Sequence, residues 1–163
     1  MTHDDLVNRA EQLLERYRDG GLKIVTAESC TGGLLAAALT EVPGSSDVFE
    51  RGFITYSNAA KIEAVGVDAA LLTSFGAVSM QVARAMAEGA LRASAAHVAV
   101  AITGIAGPGG ATADKPVGLV HFGLARQEGD TRSIERRYGD LDRSEIRRRA
   151  VEDALKLLES AAP

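Results

Sequence analysis

Thr26-Ala27-Glu28-Ser29-Cys30-Thr31-Gly32-Gly33 separates two apolar runs of different character. The first, Leu22 to Ala27, is short, has Ile24 and Val25 at its centre and follows Gly20-Gly21, so it reads as a buried strand. The second, Leu34 to Leu39, is rich in Leu and Ala and reads as a helix. Strand, tight turn and helix form the unit of a parallel α/β sheet. Ligands bind at such turns because the first N–H groups of the helix are unpaired and its dipole is positive there. Ser29 sits in this turn. Gly32 and Gly33 let the backbone approach a bound group, and a hydroxyl beside free N–H donors offers both a nucleophile and an oxyanion hole. The competing reading is that Ser29 and Thr31 simply cap the helix.

Working outward, Asp4 or Asp5 is placed to cap a first helix in which Leu6, Ala10, Leu13, Leu14 and Tyr17 recur at helical spacing. Pro43-Gly44-Ser45-Ser46 breaks the chain after the second helix, and Glu50 to Tyr56 reads as the next strand. The connection is long enough to hold a helix, so the two strands should be parallel. Ser57 or Asn58 then caps a short helix carrying Lys61, and helical segments follow at Asp68 to Ser74 and Ser79 to Ala95. His97 to Thr103 is almost wholly apolar, as a central strand buried on both faces should be. The Gly- and Pro-rich segment after Gly104 cannot be a crossover helix, so the strand from Val117 to Ala125 should return antiparallel. A turn at Glu128-Gly129-Asp130 starts a fifth strand, Thr131 to Tyr138, and a helix from about Asp142 closes the chain. In this topology Ser29, Tyr56, Thr103 with its Gly-rich loop, and the Tyr138-to-Arg143 turn all follow strands running one way. They share the carboxyl edge of the sheet, where open α/β sheets bind ligands.

Residues 1–163, with 46% hydrophobic residues, fit one domain with a substantial core. A net charge of −4 argues against nucleic acid or an anionic membrane as the main partner. Arginines nevertheless crowd the last third, at 132, 136, 137, 143 and 147 to 149, and suit a local anionic ligand. The single cysteine, Cys30, excludes an internal disulfide, and the polar N-terminus carries no apolar leader, so a cytoplasmic protein is expected. The segment Gly104-Ile-Ala-Gly-Pro-Gly-Gly matches neither a P-loop nor a dinucleotide fingerprint. His3, His97 and His121 are scattered, which predicts structural roles and no metal site. Cys30, with apolar neighbours and no histidine partner, reads as packing.

Without a placed histidine, the base for Ser29 must be another group, and Lys61 is the candidate. It would have to be neutral, its pKa lowered from about 10.4 by desolvation and by its own helix. Tyr56, at the strand end, could relay or orient a proton. The bland alternatives are a solvated Lys61 and a core ring at Tyr56. A second enzymatic reading makes Ser57 the nucleophile, because Ser57 and Lys61 are four residues apart on one helix face.

Ala27-Glu-Ser-Cys-Thr-Gly-Gly33, Gly52-Phe-Ile-Thr-Tyr-Ser-Asn58 with Lys61, Gly76-Ala-Val-Ser79, Thr103-Gly-Ile-Ala-Gly-Pro108 and Lys115-Pro-Val-Gly118 together resemble the CinA C-terminal-domain family over nearly the whole chain. The resemblance implies a three-layer α/β/α sandwich around a mixed five-stranded sheet whose fourth strand is antiparallel. It also implies an amidohydrolase that converts nicotinamide mononucleotide (NMN) to nicotinate mononucleotide and ammonia in pyridine nucleotide salvage, without a cofactor and as a homo-oligomer. Ser29 would be the nucleophile, and Tyr56 and Lys61 the proton-handling groups. Thr31, Gly32, Gly33, Thr103, Gly104 and Gly107 would contact the substrate, with backbone N–H groups around Thr31 to Gly33 holding the oxyanion. The nucleotide-hydrolysing activity of longer family members should be absent. The segment Gly139 to Arg147 is looser than the family's compact Gly-Asp-Arg turn, and Arg143 and Arg147 are both candidates for the phosphate. The alternative from another class is a non-catalytic nucleotide-binding or partner module linked to competence or DNA repair.

Overall fold

The computed structural model describes residues 1–163. In chain order the elements are α1 (His3–Asp19), β1 (Ile24–Glu28), α2 (Leu34–Thr40), a 3-10 turn (Ser45–Asp47), β2 (Phe49–Ile54), α3 (Asn58–Val65), α4 (Ala69–Phe75), α5 (Met80–Arg92), β3 (Val98–Gly104), β4 (Leu119–Arg126), β5 (Arg132–Arg137) and α6 (Arg143–Ser160). The strands form one sheet in the order β2-β1-β3-β4-β5. β1 pairs in parallel with both β2 and β3, whereas β4 is antiparallel to β3 and to β5. The expected mixed sheet with an antiparallel fourth strand is therefore present.

The alternation along the central strands sorts two different cores. Ile24, Val98, Val100, Ile102, Val120, Phe122 and Leu124 pack with residues of α1, α2 and α6 on one face. The other face is built from Val25, Ala27, Ala99, Ala101 and Ala125 against α3, α4 and α5. Small residues there let α5 lie close to the sheet. A methyl group at Gly123 would come within 2.3 Å of the Ala83 carbonyl oxygen, so any side chain at this position would lift the helix. This close packing fixes the start of α5 and the loop before it, whose Ala77 and Val78 form one wall of the site described below.

Several boundaries differ from the sequence reading. α1 is capped by Thr2, whose hydroxyl accepts from Asp5 N–H while the Asp5 carboxylate accepts from Thr2 N–H, so Asp5 completes a capping box from within the helix. β2 ends at Ile54, leaving Thr55 and Tyr56 beyond the strand. Ser79 lies outside α5 and caps it through Val82 N–H. β4 begins at Leu119 because Pro116 to Gly118 form a turn, with Gly118 at φ +90° and the Gly139 backbone 2.3 Å from where a Cβ would stand. No helix is long and apolar enough to cross a membrane.

Candidate active site

The carboxyl ends of β1 and β3, the segment after β2 and the start of α6 converge on a cavity of about 250 Å³. Ser29, Tyr56, Lys61, Thr103, Gly104, Gly107 and Arg143 line it, with Cys30, Ala77 and Val78 among the other walls. Thr31, Gly32, Gly33 and Arg147 are not in the lining. A larger groove of about 440 Å³ lies across the Ala77–Ser79 loop, against Phe75, Met80, Lys115 and His121, but it contains no hydroxyl paired with a base.

The turn after β1 is held by groups that leave the Ser29 hydroxyl uncommitted to capping. Ser29 N–H donates to Ile102 O at 2.9 Å, and Gly32 N–H donates to Ser29 O at 3.0 Å. Helix α2 has Gly33 at its N-cap with no side-chain cap. Leu34 N–H donates to Thr31 O at 3.0 Å, and the next two N–H groups are taken by Glu28, which is 1% exposed: Leu35 N–H and Ala36 N–H donate to the two carboxylate oxygens at 2.9 and 3.0 Å. The capping reading of Ser29 and Thr31 therefore fails, because a carboxylate at the end of the preceding strand reaches across the turn. Glu28 is the one charged residue in a strand otherwise made of Ile24, Val25, Thr26 and Ala27, and that is the signal that could have found it. Gly32 N–H, one of the expected oxyanion donors, is occupied within the turn.

Lys61 is 1% exposed. Its Nζ lies 3.0 Å from Ser29 Oγ, 2.8 Å from Thr55 O and 3.2 Å from Tyr56 O. No carboxylate reaches it. Burial pushes the Lys61 pKa below its ordinary value of 10.5. The geometry then fixes the direction of the lone pair. Carbonyl oxygens can only accept, so the two N–H bonds of a neutral amine go to Thr55 and Tyr56, and the lone pair is left facing the Ser29 hydroxyl. Thr55 is itself anchored, because its N–H donates to Glu28 O at 2.8 Å. A short ring through Glu28, Thr55 and Lys61 thus closes on Ser29. Ser57, by contrast, accepts from Ala60 N–H at 3.0 Å and caps α3. Lys61 Nζ meets Ser29 and makes no hydrogen bond to Ser57, so the structure pairs the amine with Ser29 and leaves Ser57 as a cap.

The remaining groups divide between cavity and scaffold. Tyr56 is 60% exposed, so it is no core ring, and its hydroxyl accepts from Arg143 Nη2 at 3.1 Å. It is the carbonyl of Tyr56 that meets Lys61. Arg143 also donates through Nη1 to Gly107 O at 2.8 Å, tying the Gly-rich loop to α6. Thr103 donates to Ala77 O at 2.8 Å, fixing the wall beside α5. Arg147 donates to Cys30 O and Thr31 O, both at 3.1 Å. Arg148 and Arg149 pair with Glu145 on their own helix. Burial pushes the Cys30 thiol up to about 11, leaving it protonated at neutral pH and a poor nucleophile. His97 accepts from Lys23 N–H, and His121 lies near Glu135 in the larger groove. No group of three or more His, Cys, Asp or Glu side chains is arranged to hold a metal ion.

The CinA C-terminal domain profile matches residues 7–162. This chain belongs to the CinA family. It is 52% identical over 150 residues to a CinA-like protein of Anaeromyxobacter dehalogenans, an alignment covering 91% of this chain and 36% of that protein. A CinA-like protein of Mycolicibacterium paratuberculosis is 52% identical over 157 residues, covering 93% and 35%. The chain spans about a third of the length of the curated relatives it matches. Among solved structures, the competence/damage inducible protein CihA from Agrobacterium tumefaciens superposes with a TM-score of 0.94 at 52% identity, covering 96% of this chain and 94% of that one. A CinA superfamily protein from Escherichia coli gives 0.91 at 33% identity, covering 98% and 92%. The α/β architecture of this CinA domain is thus that of its relatives, and the names of these two solved proteins refer to competence and damage.

Proposed function

We propose that this CinA domain is an amidohydrolase acting on the carboxamide of nicotinamide mononucleotide. The observation that supports this reading is the buried Lys61 amine, without an acidic partner, 3.0 Å from Ser29 Oγ. A solvated lysine would be protonated and useless as a base. A desolvated one whose other directions are occupied by carbonyls can take the hydroxyl proton. Ser29 Oγ attacks the carboxamide carbon as its proton passes to Lys61 Nζ, and the carbonyl oxygen becomes an oxyanion. Collapse breaks the C–N bond, the departing nitrogen takes the proton from Lys61, and ammonia leaves an ester on Ser29. Water then attacks that ester, Lys61 again taking the proton, and the Oγ–C bond breaks to release nicotinate mononucleotide and restore the hydroxyl.

Cys30 N–H and Thr31 N–H, which follow the nucleophile in the chain and have no protein acceptor, are the donors this scheme assigns to the oxyanion, Cys30 from the cavity lining and Thr31 from just behind it. Lys61 is the immediate base in this scheme, and Tyr56 contributes its carbonyl to Lys61 and its hydroxyl to Arg143 at the mouth of the cavity. Arg143, a charged donor in the cavity wall, is the phosphate ligand in this scheme. Neither a cofactor nor nucleic acid enters this scheme, and association into a homo-oligomer belongs to the same proposal. Ammonia released from nicotinamide mononucleotide, compared with a Ser29→Ala control, tests the activity. Release no greater than the control would overturn it and favour a non-catalytic binding module. Nicotinamide riboside hydrolysed as efficiently as the mononucleotide would remove the phosphate contact.

A further inference from the structure

Arg143 and Arg147 are one helical turn apart on α6 and project from the same face, yet they meet different partners. Arg143 lines the cavity, whereas both Arg147 donors that reach the nucleophile turn are engaged by the consecutive carbonyls of Cys30 and Thr31. We propose that Arg147 is a positioning residue for the chemistry at Ser29: its guanidinium holds the Cys30–Thr31 peptide plane so that Thr31 N–H is presented to the developing oxyanion, and holds the Thr31–Gly32 plane so that Gly32 N–H stays on Ser29 O and closes the turn. It is not a ligand for the phosphate. The substrate part of this inference rests on the amidohydrolase reading; the geometric part does not.

The backbone carries the inference. The only cis peptide in the chain is Gly107–Pro108, so the peptides of this turn are trans, with each C=O and the following N–H pointing in opposite directions. Cys30 O directed at Arg147 therefore turns Thr31 N–H away from Arg147. In the same way, Ser29 O facing Gly32 N–H turns Cys30 N–H outward from the turn. Neither Cys30 N–H nor Thr31 N–H finds a protein acceptor, although the two residues are 6% and 0% exposed. Buried backbone donors are seldom left open, and they are retained where charge develops during a reaction. Consecutive carbonyls facing one way repel each other, and a planar, permanently charged fork is the side chain that satisfies both at once. The left-handed Gly32 and Gly33, at φ +58° and +100°, supply the sharp backbone reversal that brings these carbonyls to α6. The positive charge at the carbonyl end of the Cys30–Thr31 peptide also polarises its N–H, strengthening that donor.

The test uses the full chain with Arg147→Met, which keeps bulk and removes both bonds, and Arg147→Gln, which keeps one amide donor. Two readouts are taken: kcat and KM on nicotinamide mononucleotide and on its riboside, and the rate at which a fluorophosphonate labels Ser29. Labelling forms an Oγ–P bond and expels fluoride, with the hydroxyl proton going to Lys61, and it needs the same donors without needing the natural substrate. We expect Arg147→Met to lower kcat by about 10²-fold on both substrates, with an unchanged preference for the phosphorylated one. Labelling should slow by a similar factor, with Arg147→Gln intermediate. A rise in KM confined to the mononucleotide, with labelling at the wild-type rate, would overturn the inference and make Arg147 a phosphate ligand. If the wild type labels but releases no ammonia, the substrate reading fails while labelling of the variants still decides the role of Arg147. If Arg147→Met does not fold, Arg147→Gln labelling at the wild-type rate overturns the inference, and slower labelling by a folded Arg147→Gln supports it.

Discussion

Two serines follow parallel strands in this molecule, and they have opposite fates. Ser57, after β2, accepts from Ala60 N–H and caps α3 in the ordinary way. Ser29, after β1, precedes a helix whose N–H groups are already taken by Glu28, so its hydroxyl faces Lys61 instead. The difference lies in one neighbouring residue more than in the serines. A strand-terminal carboxylate that caps the helix leaves the turn serine hydroxyl free of capping, and the same lysine that leaves α3 from beside Ser57 crosses to the other turn.

The largest expected effect is on turnover. Ser29→Ala should lose at least about 10³-fold in kcat, the scale expected for removing a nucleophile, whereas Ser57→Ala should keep nearly all of it. Lys61→Arg should match Ser29→Ala, because arginine does not release its proton at accessible pH. Near-normal ammonia release by Lys61→Arg would break the comparison by removing lysine as the base.

Next comes stability. Glu28→Ala strips one buried and one half-buried helix donor of a charged acceptor and should cost about 2–4 kcal/mol in urea unfolding. Ser57→Ala, the loss of a neutral cap, should cost about 1 kcal/mol. Equal losses would mean that Glu28 is no more than an ordinary cap. Glu28→Gln, which retains an acceptor oxygen, should fall between wild type and Glu28→Ala.

The pH dependence sharpens the same contrast. Burial holds the folded Lys61 pKa below the ordinary 10.5. Below that lowered value both folded and unfolded chains carry the proton and the cost of burying the charge is present in full. Between the lowered value and 10.5 the unfolded chain binds more protons than the folded one, so stability rises with pH, and it levels off above 10.5. Unfolding free energies measured across this window should show that rise in the wild type, and Lys61→Met should lack it. The kcat/KM profile should climb with pH through an apparent pKa below 10.5. A profile flat in that range would mean that the proton is handled elsewhere.

The smallest effect concerns the mouth of the cavity. Tyr56→Phe removes the hydroxyl that Arg143 holds but leaves the carbonyl that orients Lys61. Turnover should therefore drop by less than about tenfold, well short of the 10²–10⁴-fold typical of losing a general acid or base. A loss as large as that of Lys61→Arg would show that the Tyr56 hydroxyl itself handles the proton.

The sequence by itself determined the order of elements, the antiparallel return of β4 and the edge at which the site forms. Those features follow from local signals: apolar runs of strand or helix length, glycine and proline at the turns, and connections too short or too irregular to hold a crossover helix. Ser29 and Lys61 were legible as candidates for the same reason, since each follows a strand that ends at the carboxyl edge. Tertiary structure alone decided which serine Lys61 meets, that Glu28 takes the helix donors, and that Arg143 enters the cavity while Arg147 braces the turn. Each of these depends on where groups far apart in the chain point: Arg147 and Cys30 are 117 residues apart, Lys61 and Ser29 are 32. Spacing along a chain says which residues share a helix face or a sheet edge. It cannot say which of two nearby acceptors a long side chain reaches, because that choice is made by packing and by which donors have already been satisfied.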